Sequence, residues 1–405
     1  MKISPDPRKQ EKSKRLGRRG FLKEVAFTSM GVGGAGLASS LAGAKEREGK
    51  GASLLPNADQ LPDRGRPIKL FCCDFNFCRF EKPHAYFGPS APQDWAFVNP
   101  KEYFEWHRNF GVNIMFGEGY TFCGYAFYPT KLGPVAPGPG RHFFPELFRL
   151  TRKAGMPFCG YFNCSMDLTM NNLRRRWVVP RSHQYHWATP DTWMPLLAPE
   201  SPWGDLFCAR LDEFLRLYPV EWINFDGFGY GGLHTNDFPV QPAWFVKKPF
   251  QEIIGRAMPD DPAKITPEES LKYKREIMAR FFYRIRDTIH KASPETKAFF
   301  NVPFFKPAEA LWVNHPMLNE SDMLVAESSD EIVEWLLKIR KPGQRVMTTI
   351  IGRPDGVCDP NTWKKWYKAG CDFFGYAWGT PPDFRPNPIY ANGLKIVKHA
   401  FAQMP

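Results

Sequence analysis

Eight short apolar runs recur along the chain, separated by longer stretches with helical periodicity. The runs are Ile68–Phe77, Val112–Tyr120, Pro157–Met166, Trp222–Tyr230, Lys297–Phe305, Met323–Ser329, Arg345–Gly352 and Phe373–Thr380. Each is rich in β-branched or aromatic residues and stays apolar almost to its C-terminal end. A strand with one wet face alternates apolar and polar positions, whereas a parallel strand covered on both faces reads as continuous apolar sequence. The intervals suit amphipathic helices at Pro100–Asn109, Phe144–Ala154, Gly204–Leu217, Glu268–Lys291, Asp330–Ile339, Thr362–Ala369 and Pro388–Phe401. A weak, short candidate at Pro307–Val313 follows the fifth run.

Several helix ends carry their own chemistry. Ser328, Ser329 and Asp330 can cap the sixth helix, and Asp359 with Pro360 can open the seventh. Ala154-Gly155 and Ala369-Gly370 end two helices just before the next strand. Eight repeats of strand then helix predict an α/β fold, a (β/α)8 TIM barrel over residues 67–405. The competing arrangement, an open doubly wound sheet, lacks the glycine-rich phosphate loop expected after its first strand. Long segments follow strands 2, 3 and 4 (Thr121–His142, Asp167–Pro202, Gly231–Thr266), and in a barrel such βα loops build the ligand face.

The N-terminal sequence has a different character. Gly17-Arg18-Arg19-Gly20-Phe21-Leu22-Lys23 precedes a mildly apolar, Gly/Ala-rich stretch from Val25 to Leu41. Ala42-Gly43-Ala44 then offers a cleavage pattern. Residues 1–44 therefore resemble a twin-arginine export signal, which implies a periplasmic or secreted protein, and residues 45–66 read as a linker. The apolar stretch is short for a membrane span, and no other segment approaches that length. Removing residues 1–44, with nine Lys/Arg against three Asp/Glu, halves the formal charge of +12 to +6. The remaining basic cluster, Arg174-Arg175-Arg176, suits a solvated loop face, and no nucleic-acid motif is present. Nine cysteines cannot all pair within one chain. Cys72, Cys159, Cys164 and Cys371 fall in or beside strand-like runs, where cysteine acts as a small hydrophobe; a Cys73–Cys78 disulfide is a bare possibility of spacing.

In a barrel the C-terminal strand ends converge on one mouth, and polar residues there need a reason, because a buried carboxylate is costly without partners. The strand ends supply Asp74 and Asn76, Glu118, Asn163, Asp226, Asn301, Glu327 and Trp378. Asp226 is the sharpest signal, a lone carboxylate after an apolar strand, followed by a glycine that allows close approach. Glycoside cleavage needs two carboxyl groups, one to protonate the leaving oxygen and one to attack the anomeric carbon or activate water. Glu327 is the chosen acid/base: strands 4 and 6 can face one another across the mouth, and an apolar surround suits an acid. Glu118 is a rival for that role, or a contact for sugar hydroxyls together with Asp74, Asn163, Asn301, His186 and His234. Tyr120, Tyr125, Tyr161, Trp187, Trp193, Tyr230 and Trp378 are candidate platforms for sugar rings. A metal site built from His183, His186, His234 and Glu118 has only generic spacing, so no metal and no cofactor is expected.

Four stretches, taken in order, also carry a resemblance. They are Gly111-Val112-Asn113 with Gly124 to Lys131, Pro145-Glu146-Leu147 with Lys153 to Met156, Gly160-Tyr161-Phe162, and Val220 to Gly227. Together they resemble glycosyl hydrolase barrels related to the α-L-fucosidases of glycoside hydrolase family 29. The resemblance covers roughly residues 110–230, the first half of the barrel. It implies that Asp226, the aspartate before a glycine at the end of strand 4, is the nucleophile of a retaining mechanism acting on an oligosaccharide or glycoside. The histidine-rich fucose pocket of those enzymes is not clearly reproduced. Two other readings stand beside a retaining glycosidase: a carbohydrate-binding barrel without catalysis, and a metal-dependent sugar isomerase or hydrolase.

Overall fold

The computed structural model describes residues 66–74, 98–122, 124–179, 196–230, 240–301, 312, 314–326, 330–351, 362–378 and 388–404. Eight strands form one sheet: β1 Lys69–Asp74, β2 Met115–Tyr120, β3 Phe158–Asn163, β4 Trp222–Asp226, β5 Lys297–Asn301, β6 Met323–Ala326, β7 Arg345–Ile351 and β8 Asp372–Trp378. Their order is β1-β8-β7-β6-β5-β4-β3-β2, every hydrogen-bonded pair is parallel, and helices fill the crossovers. This is the (β/α)8 barrel, with its two end strands drawn together. The helices are α1 Pro100–Phe110, α2 Phe143–Lys153, α3 Leu168–Leu173, α4 Pro202–Leu217, α5 Lys247–Ile254, α6 Pro267–Ala292, α7 Pro316–Glu320, α8 Asp330–Ile339, α9 Thr362–Lys368 and α10 Pro388–Gln403. The export signal, nearly all of the linker and most of the weak helix at 307–313 lie outside the described residues. Short helices α3, α5 and α7 interrupt stretches whose sequence carries no long apolar period.

Local chemistry sets the ends of these elements. Asn99 accepts hydrogen bonds from the Lys101 and Glu102 amides and starts α1, with Pro100 at the first helical position. Thr266 and Glu269 form a reciprocal capping box at the head of α6. β4 stops four residues before its apolar run does, because Gly227 turns the chain at φ +65°, a conformation that a residue with a Cβ rarely adopts.

Alternation divides each strand between two cores. Leu70, Cys72, Phe116, Cys159, Tyr161, Trp222, Phe299, Met323, Val325, Met347 and Phe374 fill the barrel interior. Phe71, Cys73, Met115, Phe162, Phe225, Phe300, Leu324, Val346 and Phe373 face the helices instead. Both clusters are buried, which accounts for the unbroken apolar runs. At the floor, Arg345 grips Asp372 through two 2.5 Å bonds, and Asp372 also accepts from the Ile68 amide at 2.7 Å. Asn113 closes the gap between β1 and β2: its side chain accepts from the Lys69 amide at 2.7 Å and donates to the Pro67 carbonyl at 2.9 Å.

At the other end, a fully buried charge organises the loops. Arg210 of α4 lies in the apolar stripe of its helix, 1% exposed. It pairs with Asp167 at 3.2 Å, bonds the Tyr120 hydroxyl, and donates to the Leu132 carbonyl at 2.8 Å. Asp167 in turn accepts from Tyr120 at 2.5 Å and caps α3 through the Met170 amide at 2.7 Å. Gly124 and Gly133 are the close approaches that make this possible. A Cβ would stand 2.1 Å from an Asp167 oxygen at the first and 2.5 Å from the Arg210 guanidinium at the second.

Cys159, Cys164, Cys208 and Cys371 are free thiols, and the Cys73 sulfur lies 3.7 Å from His107 Nε2; Cys78 lies outside the described residues. No helix among the described residues is long and apolar enough to cross a membrane. Because removing one member of a buried pair strands the other, we expect Arg210→Met to cost about 3–5 kcal/mol in urea unfolding. Adding Asp167→Asn should recover some of that loss; no recovery would mean that the buried charge is not what the loops depend on.

Candidate active site

The interior positions of the strands rise through the apolar core to a polar layer at the C-terminal end. Glu118 on β2 is fully buried, in register with Tyr161 on β3, and accepts a hydrogen bond from the Cys72 thiol at 3.6 Å. Asn224 on β4 donates to the Asn301 side chain of β5 at 2.9 Å. One step higher, Asn163 and Asp226 are register partners at the ends of β3 and β4.

Asp226 is half-buried, and both of its carboxylate oxygens are held. The Tyr161 hydroxyl donates to Oδ2 at 2.8 Å, and the Gly227 amide donates to Oδ1 at 2.6 Å. Its backbone is held as well, since the Cys164 amide donates to the Asp226 carbonyl at 2.7 Å. Asn163, fully buried beside it, accepts from the Met166 amide at 2.8 Å, while its Nδ2 finds no acceptor among the described residues. A Cβ on Gly227 would press within 3.2–3.3 Å of the Asn163 amide, so the glycine is what lets the two groups stand side by side. The arrangement fixes one carboxylate in a single orientation, next to a buried amide donor, where strand ends converge.

Asp226, Tyr161, Asn163, Glu118 and Asn301 are thus gathered on neighbouring strands β2 to β5. Asp74 and Trp378 are backbone partners at the ends of β1 and β8. Glu327, His186 and His234, with Asn76, His183, Trp187 and Trp193, lie outside the described residues. Tyr120 is placed elsewhere. A register shift between Glu118 and Tyr120 turns its ring toward the helices, stacked on Phe162, with its hydroxyl committed to Asp167 and Arg210. Tyr230 is likewise taken up by packing, 1% exposed. Among the described residues no group of three His, Cys, Asp or Glu side chains could hold a metal ion.

Sequence pattern alone gives no sign of Asn224, although it sits two positions before Asp226 on the same face, and none of Glu200. The Glu200 carboxyl is buried and accepts from the hydroxyls of Tyr230 at 2.6 Å and Tyr273 at 2.8 Å. It thereby ties the chain leaving β4 to α6 and to the start of α4. Burial outweighs those two donors and pushes its pKa up to about 7.

The barrel has counterparts among solved structures. The α-L-fucosidase isoenzyme 2 of Paenibacillus thiaminolyticus superposes with a TM-score of 0.58 at 15% identity, over 84% of this chain and 49% of that one. The chain shares its barrel fold with an α-L-fucosidase. It spans about half the length of that enzyme, and at this identity the likeness is one of fold. The α-L-fucosidase AlfC of Lactobacillus casei gives a TM-score of 0.44 at 13% identity, covering 80% of this chain and 85% of that one. The Thermotoga maritima α-fucosidase gives 0.40 at 13%, covering 78% and 60%. Neither of these two superpositions is close enough to carry an argument. No protein-family model and no curated protein matches the sequence.

The raised Glu200 pKa has a signed consequence. The folded chain keeps this proton up to about pH 7, whereas the unfolded chain releases it near the ordinary glutamate value of 4.5. The folded state therefore binds more protons between those values, and this group's contribution to stability falls as pH rises through the window and levels off above it. His107 and His315, both pushed down to about 4 by burial, act in the opposite direction. The difference between variants isolates the effect. We expect the stability of Glu200→Gln relative to the parent to rise by about 2.5 kcal/mol from pH 5 to pH 8 in urea unfolding, and a flat difference would refute the assignment.

Proposed function

We propose that this chain is an exported glycoside hydrolase that cleaves an O-glycosidic bond with retention, Asp226 being the nucleophile and Glu327 the acid/base. The observation that supports this most is the Asp226 carboxylate. It is held by Tyr161 and the Gly227 amide at the end of β4, beside the buried Asn163 donor. A nucleophile must present one oxygen to the anomeric carbon in a fixed line, and two hydrogen bonds remove most of its rotational freedom before substrate arrives.

In the first step an Asp226 oxygen bonds to the anomeric carbon as the bond from that carbon to the leaving oxygen breaks. Glu327 gives its proton to that oxygen. In the second step Glu327, now a carboxylate, takes a proton from water while the water oxygen attacks the same carbon. As the water oxygen bonds to that carbon, the ester bond to Asp226 breaks, and both carboxyl groups return to their starting states. Glu118, Asn163, Asn301, Asp74, His186, His234 and Trp378 are the proposed contacts for sugar hydroxyls and ring. The Tyr161 hydroxyl orients the nucleophile. Tyr120, occupied with Arg210 and Asp167, is left out. The paired arginines at 18 and 19 are proposed to direct twin-arginine export, so Arg18→Lys with Arg19→Lys should leave the chain in the cytoplasm on fractionation.

A panel of aryl glycosides, followed by plant and algal oligosaccharides, identifies the sugar. On a substrate so found, Asp226→Asn should lose at least about a thousandfold in kcat with sugar binding preserved. Tyr161→Phe, which removes one hydrogen bond to a charged group, should lose about tenfold to a hundredfold in kcat. Near-parental turnover by Asp226→Asn would eliminate the mechanism.

A further inference from the structure

Among the described residues, large apolar side chains are almost all covered. Among the described residues only Leu217 and Trp244 are exposed, at 51% and 58%. Leu217 ends α4 at the floor of the barrel. Trp244 stands on the mouth side, at the end of a chain of hydrogen bonds that starts from β3. The Leu197 amide donates to the Ser165 carbonyl at 2.8 Å, and the Ala198 amide donates to the Trp177 carbonyl at 2.8 Å. The Trp244 indole then donates from Nε1 to the Arg176 carbonyl at 3.2 Å. Phe245 meets its ring edge-on at 5.6 Å. The indole is fixed but uncovered, so a ligand stacking on it would lose little side-chain entropy.

The segment that holds Trp244 is also the most basic stretch of the barrel sequence. Arg174 lies over the Trp177 ring at 5.8 Å, and Arg175 and Arg176 are exposed. Several other surface arginines sit on carboxylates, as Arg149, Arg216, Arg256, Arg280 and Arg286 do, while Arg66, Arg141 and Arg340 stand singly without one among the described residues. Among the described residues none of Arg174, Arg175 and Arg176 sits on a carboxylate. Three consecutive arginines without a carboxylate partner, on the segment whose Arg176 carbonyl anchors an exposed indole, match a ring that carries fixed negative charge.

We propose that Trp244 and the Arg174–Arg176 segment form a rim site for an anionic saccharide, one sugar ring stacking on the indole while its sulfate or carboxylate meets the arginines. This rests on the reading of the barrel as a glycoside hydrolase and gives that reading a polymer class. Affinity electrophoresis of the whole chain tests it, in gels containing dextran, dextran sulfate, polygalacturonate or polyphosphate at about 0.15 M salt. Retardation by dextran sulfate or by polygalacturonate, but not by dextran, is expected, and the stronger of the two identifies the anionic group. Trp244→Ala should weaken that binding about tenfold, with Trp244→Phe keeping most of it. Arg175→Gln with Arg176→Gln should weaken it at least as much and flatten its salt dependence. Parental binding by Trp244→Ala, or equal retardation by polyphosphate, would reduce the patch to bare charge and overturn the proposal. Because binding is read without turnover, a chain that binds but cleaves nothing keeps this site and loses the hydrolase reading. A chain that cleaves but is not retarded does the reverse.

Discussion

A parallel strand covered on both faces leaves its polar side chains two outcomes: they are met by partners inside the protein, or they emerge where the strand ends. Arg345 and Asp372 meet each other at the floor, and Arg210, Asp167 and Tyr120 meet beneath the loops. The polar groups of the upper interior, from Glu118 through Asn163 and Asp226 to Asn301, gather into one layer at the mouth. Apolar walls on both sides of the sheet thus concentrate the chain's chemistry at one end of the barrel.

The buried Arg210 cluster determines how that end is shaped. A charge with no water around it requires good geometry from every neighbour, so it constrains the chain leaving β2, the cap of α3 and two glycines at once. Glu200 has a similar effect at the next strands, where it draws Tyr230 and Tyr273 together behind the chain that leaves β4. These groups make no contact with Asp226 themselves. They hold the chain on either side of it, and a rigid surround is what the proposed nucleophile needs.

The proposed rim site extends this arrangement outward. Its tryptophan donates to a carbonyl of the Arg174–Arg176 segment, and Trp177, next to that segment, accepts from the Ala198 amide, whose neighbour Leu197 donates to the Ser165 carbonyl just past β3. An anionic polymer held there would lie across strand ends that already present a carboxylate and a buried amide, which fits a chain whose barrel portion carries net positive charge.

The fold was readable because hydrophobic period is a local property. Seven strands fall within their apolar runs and β8 begins one residue ahead of its run, and Gly155 and Gly370 adopt the left-handed turns that their positions after Ala154 and Ala369 suggested. Asp226 was readable for the same reason, as a charge at the end of an apolar run. Which side of a strand a residue faces at its last positions is not local. Tyr120 looked like a mouth residue, yet a one-residue register shift after Glu118 turned it outward to Arg210. That arginine lies 90 positions away, and nothing in either segment alone announces the pairing. Glu200 and Asn224 escaped notice likewise, since an isolated carboxyl or amide has no signature until its partners arrive from other elements. The sequence by itself determined where the strands and the long amphipathic helices form and where a carboxylate would emerge. The tertiary structure decided which polar groups share a layer, because burial makes each seek a partner regardless of its distance along the chain.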